Sequence, residues 1–391
     1  MLEEIATEVY RGSGITKSQI EKGKYPCIRY GEIYTTYDIY FNKCISSINP
    51  ELINNIKYCE YGSLLITSTG ENLKDIGKSC VYLGQEKIIV GNGITIIKHN
   101  QNPKYLSYAL SANKSKRQKM NLAQGVKVFG LSAYKIQKIK IPLPSIEIQE
   151  QISEILDVLR ELVRELEIEL KLRKKQYEYY LNKLISDVIE KEWGEYKTLG
   201  EIATEIYRGT GVTNSQIGSG DYPCTTPGSI SNAFSVWFDC CNFKINPSLI
   251  KNPKYFEYGD LLFVTSSQIV RTIGDCCAYL GSEKAIAGAD ILVLKHHQNP
   301  KYLAYALSTH ESKKQKTKFA TGEAVIHLYS SNIKKLKIPL PPLEIQEQIA
   351  NSLDKLRELC EDLEKGIPRE IELANKRYEY YRDLLITGHN N

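Results

Sequence analysis

The sequence predicts an α+β protein written twice: a β-rich domain and a long helix, then the same pair again. Three observations predict it. Ile5-Ala6-Thr7-Glu8-Val9-Tyr10-Arg11-Gly12 returns as Ile202-Ala203-Thr204-Glu205-Ile206-Tyr207-Arg208-Gly209, a shift of 202 − 5 = 197 residues. Within each copy, short apolar runs such as Leu64-Leu65-Ile66-Thr67 and Ile88-Ile89-Val90 are broken by Gly, Asn and Ser, which is the texture of strands. After Ile141-Pro142-Leu143-Pro144 and its repeat Ile338-Pro339-Leu340-Pro341, apolar residues fall at steps of three and four, the spacing of a coiled-coil seam.

In chain order, residues 1–144 form the first domain. Its strands are interrupted by one helix, in which Asn102 caps, Pro103 takes the first position, and helix formers continue from Lys104 to Lys119. Residues 145–192 form the first rod, with a seam of Ile152, Leu156, Leu159, Val163, Leu166, Leu170, Tyr177, Leu181, Leu184 and Val188. About 42 residues at ~1.5 Å each make it roughly 60 Å long. Residues 193–341 repeat the domain, and 342–391 form the second rod, with its seam at Ile349, Leu353, Leu356, Cys360, Leu363, Ile367, Ile371, Ala374, Tyr378, Tyr381 and Leu385. There the register slips: Tyr177-Glu178-Tyr179-Tyr180 matches Tyr378-Glu379-Tyr380-Tyr381, a shift of 378 − 177 = 201. Four residues have been added near Gly366-Ile367-Pro368, where Pro predicts a break and a restarted helix. Two apolar seams in one chain are buried most simply against each other, as an antiparallel pair with pseudo-twofold symmetry.

Composition narrows the function. A formal charge of +5 permits a polyanionic partner, and no apolar run is long enough to span a bilayer, so a cytoplasmic protein is expected. The ten cysteines contain no Cys-x-x-Cys, and only Cys27 with Cys224 and Cys80 with Cys277 match between copies; free, packed thiols are expected rather than a metal site.

The series Ile-Pro-Leu-Pro, Glu147-Ile148-Gln149-Glu150-Gln151-Ile152 and Tyr-Glu-Tyr-Tyr, present twice at matching places, resembles the DNA-specificity subunit of type I restriction-modification systems. The resemblance covers nearly the whole chain. It implies two target-recognition domains, each reading one half of a split site on double-stranded DNA, with the helices as an antiparallel spacer. It implies methyltransferase and restriction/translocase subunits as partners, no catalysis by this chain, and S-adenosylmethionine, ATP and magnesium on those partners. A rod near 60 Å corresponds to about 18 base pairs at ~3.4 Å each, so the half-sites flank an unread middle.

Self-comparison separates framework from readers. Matched positions serve the shared fold, whereas polar positions that differ between copies are candidate base contacts. In the first copy these are Arg29, Tyr30, Thr35, Thr36, Thr69, Glu71, Asn72, Gln124 and Lys127; in the second, Thr226, Ser229, Asn232, Ser266, Gln268, Arg271 and Glu323. Arg29 to guanine and Gln268 to adenine are the contacts expected first. Phosphate contacts recur in both copies, which selects Arg11 and Arg208, then Lys114, Lys116, Arg117 and Lys119, answered by Lys313, Lys314, Lys316 and Lys318. Tyr179, Tyr180, Tyr380 and Tyr381 are expected to pack.

Enzymatic readings fail on their motifs. Asn-Pro-Lys-Tyr at 102, 252 and 299 lacks the second Pro of an adenine-methyltransferase motif, and Gly77-Lys78-Ser79 lacks the upstream Gly of a phosphate loop. The alternative function is a stand-alone bipartite DNA-binding regulator without enzymatic partners.

Overall fold

The computed structural model describes residues 1–213, 215–361 and 366–388. The chain folds as two compact units, Met1–Ile168 with Arg369–Asn391, and Glu169–Pro368. The segments expected at 1–144, 145–192, 193–341 and 342–391 are thus shared out: each unit holds one domain and parts of both rods.

In the first unit a five-stranded sheet is ordered Ala6–Arg11, Ile94–His99, Leu64–Thr67, Ser79–Tyr82, Tyr40–Phe41, beside a four-stranded sheet of Ser46–Ile48, Ile20–Ile28, Ile88–Val90 and Tyr58–Cys59. The second unit repeats both sheets in the same order. The central strands Leu64–Thr67 and Leu261–Val264 are buried at every position, which is why they read as continuous apolar runs. Asn102 and Asn299 cap their helices as expected, accepting from the N–H groups of Tyr105 and Tyr302.

The helix expected from Lys104 to Lys119 is two helices, Pro103–Ser111 and Asn113–Leu122, split at the buried, extended Ala112. The second copy splits alike at Thr309, between Pro300–Ser308 and His310–Phe319. The ends left open are capped from within. Lys119 Nζ donates to the Leu110 carbonyl at 2.8 Å and Lys316 Nζ to that of Leu307 at 2.9 Å, so a cation satisfies a terminal carbonyl of the preceding helix.

The first rod is a single helix, Ile146–Glu190. In the first unit its Ile152 and Leu156 share a core with Tyr378 and Ile386; in the second, its Leu181, Ile185 and Val188 share one with Ile349 and Leu353. The early half of this helix therefore meets the late helix, and its late half the early one, the pairing order of antiparallel rods. The second rod is broken as expected: one helix ends at Glu361 and another runs Ile367–Thr387 with Pro368 in its first turn. Leu363, assigned to the seam, lies outside the described residues. Tyr177 and Tyr378 turn inward, whereas Tyr179, Tyr180, Tyr380 and Tyr381 are not buried in the core as expected; they are 38–61% exposed and meet edge to face as Tyr179–Tyr180 and Tyr380–Tyr381. All ten cysteines are free thiols, seven of them buried.

Candidate nucleic-acid interface

Strand pairing joins segments that are far apart in sequence. Thr69–Gly70 pairs with Phe129–Gly130, Gln124 bridges Gly130, and in the second unit Ser266–Ser267 pairs with Ile326–His327. The short helix Tyr30–Thr35 closes against the first ribbon, with Tyr34 Oη 2.7 Å from Thr67 Oγ1 and donating to the Thr69 carbonyl at 3.0 Å. A Cβ on Gly93 would lie 3.1 Å from the Tyr30 ring and 3.2 Å from Thr69 Oγ1, so both side chains crowd the same glycine. In the second unit a cleft of about 410 Å³ is lined by Gly228, Asn232, Ser266, Gln268 and Ile269 from two mismatched segments and by Val325, which follows the third, whose Thr321 bridges His327 on the same ribbon. Each unit thus assembles one surface from its three variable segments.

Most of the expected readers are available there. Tyr30, Thr35, Thr36, Glu71, Asn72, Gln124, Lys127, Asn232, Gln268, Arg271 and Glu323 are exposed, and Arg29, Thr69, Thr226 and Ser266 are half-buried. Some are already engaged. Arg29 Nε donates to Glu32 at 2.9 Å, which aims the guanidinium from a buried carboxylate. Asn72 accepts from the Lys74 N–H and donates to Asp75, both at 2.9 Å, so it also shapes its turn. Ser229 is a correction: it is buried, its hydroxyl 3.3 Å from that of Thr226, because the first turn of Pro227–Asn232 faces the core.

Two residues escaped the sequence reading. Val126 and Val128 are 90% and 60% exposed, on a loop turned by Gly125 at φ 127°. Apolar tips of this kind suit the thymine methyl group. For Val126 the available signal was its replacement by Glu323 in the second copy; Val128 is matched by Val325 and carried no such signal.

Among the phosphate candidates, Arg11 and Arg208 end the matched strands Ala6–Arg11 and Ala203–Arg208. The following glycine permits this path, since a Cβ on Gly12 would sit 2.0 Å from the Gly91 carbonyl oxygen. Arg208 is ion-paired with Asp290, whose place in the first copy, 290 − 197 = 93, is taken by Gly93; Arg11 is exposed. Lys114, Arg117, Lys313, Lys314 and Lys318 are exposed and Lys116 is half-buried. Lys119 and Lys316 are corrected. Both are buried and cap helix ends, so neither reaches a phosphate.

A family model, Type I restriction modification DNA specificity domain, matches residues 2–172 and 190–373, one match per copy. The chain belongs to this family. Among its relatives, a Haemophilus influenzae protein named as a type I restriction enzyme specificity subunit is 32% identical over 264 residues, 66% of either chain. The EcoR124I/EcoR124II specificity subunit of Escherichia coli is 32% identical over 269 residues, 66% of this chain and 65% of that one. The chain therefore spans just under two thirds of the length of these two relatives. A type I specificity subunit of Mycoplasma pneumoniae is 30% identical over 314 residues, covering 76% of this chain and 86% of its own. The fold of the family is confirmed by solved structures: the specificity subunit of M. genitalium (TM-score 0.54, 14% identity, 100% and 96% covered) and a chain from a study of complex assembly in a type I system (TM-score 0.66, 15% identity, 98% and 96% covered).

Proposed function

We propose that this chain is the DNA sequence-specificity subunit of a type I restriction-modification complex. Residues 1–144 and 193–341 each read one half of a bipartite site in double-stranded DNA, and the helices of 145–192 and 342–391 set the unread spacer. The chain performs no chemistry. It presents DNA to methyltransferase subunits, which bind S-adenosylmethionine, and to a restriction/translocase subunit, which binds ATP and magnesium, in the cytoplasm.

One observation carries this reading: in each unit the segments that differ between copies converge on one surface, while the matched segments build the framework beneath it. A duplicated fold with unlike tips is what two unlike half-sites require. The experiment is methylome sequencing of cells carrying the chain with its partner subunits, before and after Gln268→Ala. A split adenine-methylated motif is expected, with specificity relaxed in one half only, by about 1–3 kcal/mol per base contact. A contiguous motif, or loss in both halves together, would overturn it.

A further inference from the structure

The first unit contains a cavity of about 390 Å³, within the usual range for a small-ligand pocket of roughly 300–1,000 Å³. Lys74, Lys78, Lys116 and Lys119 line it from the domain; Arg160 and Arg382 line it from the helices. The two arginines are committed, Arg160 to Asp38 and Arg382 to Asp383 at 3.0 Å. The lysines are not. Lys78 Nζ donates to the Tyr34 carbonyl at 3.2 Å, and Lys119 Nζ to the carbonyls of Gly77 and Leu110 at 2.7 and 2.8 Å, none of which carries a charge. The remaining acids in the wall are Asp75 and Glu379, so four lysines face two carboxylates. Burial lowers the pKa of Lys78, and lowers that of Lys119 to about 7, with Lys116 adding to the latter. The wall is short of negative charge.

The second copy is an internal comparison. The shift of 197 places Arg271, Asp275, Lys313 and Lys316 at the positions of Lys74, Lys78, Lys116 and Lys119. Three cations are kept, but Lys78 is replaced by an acid. Burial raises the pKa of Asp275, opposed by a hydrogen bond with Ser231 and then by Lys316, Lys313 and Arg271, so the acid lies among those cations. In the second unit the central position of this framework is therefore an acid set among three cations, whereas in the first it is a fourth cation, with Asp75, where the second copy has Thr272, placed at the side.

We propose that the cavity of the first unit binds a phosphate group, with Lys78 as its determinant and Lys74 and Lys116 as the flanking charges. The group comes either from a DNA backbone or from a free phosphate compound; the DNA source rests on the proposed function, and the free source does not. An ammonium cluster in a partly dehydrated wall suits a compact dianion better than a carboxylate, because each lysine donates to a separate oxygen.

The test is calorimetric titration of the full chain at low salt with inorganic pyrophosphate and, separately, with a 12-base-pair duplex of random sequence. Lys78→Asp installs the residue that the second copy already accommodates. It should weaken at least one of the two ligands by roughly tenfold or more, and Asp275→Lys should raise the pyrophosphate stoichiometry from one towards two if the source is free phosphate. Weakening of the duplex alone assigns the group to DNA. If Lys78→Asp misfolds, Lys116→Ala serves in its place, at a half-buried site. Unchanged affinity for both ligands in these variants would overturn the proposal. A contiguous methylation motif with pyrophosphate binding intact would overturn the proposed function and leave this site standing.

Discussion

The hydroxyl of Tyr305 donates to Asp354 at 2.5 Å, and the relationship recurs between Tyr108 and Asp157 at 2.7 Å, each joining a domain helix to the rod helix that follows it. Lys301 and Lys104 reach the other carboxylate oxygen, both at 2.5 Å. In the second unit Trp237 Nε1 adds a third donor at 2.9 Å. Burial raises the pKa of Asp354, but hydrogen bonds from Lys301, Tyr305 and Trp237 outweigh it, and the net shift is downward. Asp354→Ala strands three donors in a site that is nearly dry and should destabilise its unit by about 3 kcal/mol. Asp157→Ala, at a carboxylate with 23% of its side chain exposed, should be milder, about 1–2 kcal/mol. Urea unfolding of the two variants checks the order; equal effects would contradict it.

His99 and His296 predict an acid-sensitive fold. Each accepts at Nδ1 from a backbone N–H, that of Gln101 or Gln298, and the buried Nε2 of each has no partner. Burial pushes both down to about 4. The unfolded value is ~6.5, so the folded pKa is depressed: the stabilisation is complete above about pH 6.5 and is lost as pH falls towards 4. Between pH 7 and 5 the loss should be on the order of 2 kcal/mol per histidine. His99→Asn with His296→Asn keeps an acceptor near Nδ1 without a titrating ring and should flatten the pH dependence of the urea midpoint. An unchanged slope would sink this assignment.

The corrected lysines separate two kinds of basic residue. Lys114→Ala, Arg117→Ala, Lys313→Ala and Lys314→Ala remove exposed charges and should each lower the slope of log K against log salt for DNA binding by up to about 0.9. Lys119→Met should leave that slope unchanged and lower stability instead, since its ammonium holds the Gly77 and Leu110 carbonyls. Filter binding at several salt concentrations checks the first statement and thermal unfolding the second.

What was legible in the sequence was whatever is periodic or local. The seam residues Ile152, Leu156, Leu181 and Val188 are buried because three-four spacing is a property of the helix itself, and Asn102-Pro103 starts a helix by its own chemistry. Ala112 was not legible as a break, because the carbonyl caps that tolerate it come from Lys119, a residue whose type reads as surface. Ser229 read as a tip because polarity alone does not tell which side of a one-turn helix faces inward. The convergence of Thr69 with Gln124, or of Gln268 with Val325, depends on non-local strand pairing and leaves no trace in spacing.

Under the proposed function, the exposed tyrosines of the rods predict where a methyltransferase subunit docks. Leu172 and Tyr179 are 59% and 61% exposed, and their counterparts at the 201 shift, Leu373 and Tyr380, are 44% and 50% exposed. Apolar residues held in solvent at matched places in both copies suit two like subunits, one per rod. Tyr179→Ala with Tyr380→Ala should reduce co-purification with the methyltransferase subunit, at about 2 kcal/mol for each anchor, while the unfolding transition of the chain stays in place. Undiminished co-purification would move the docking surface elsewhere.

The break in the second rod fixes what its extra residues do. Under the 197 shift the helix Leu343–Glu361 matches residues 146–164 of the first rod, and under the 201 shift Ile367–Thr387 matches residues 166–186. By sequence, residues 362–366 therefore stand opposite Glu165 alone, so the four added residues fall between the helices Leu343–Glu361 and Ile367–Thr387. A helical insertion would lengthen a rod by about 6 Å at ~1.5 Å per residue; a connector need not. Deleting four residues from 362–366 should then leave both half-sites and the unread spacer unchanged in a methylome. Inserting four helix-forming residues after Leu170, inside the continuous helix, should alter the spacer. A spacer shortened by the deletion would show that the connector carries length that the helices do not.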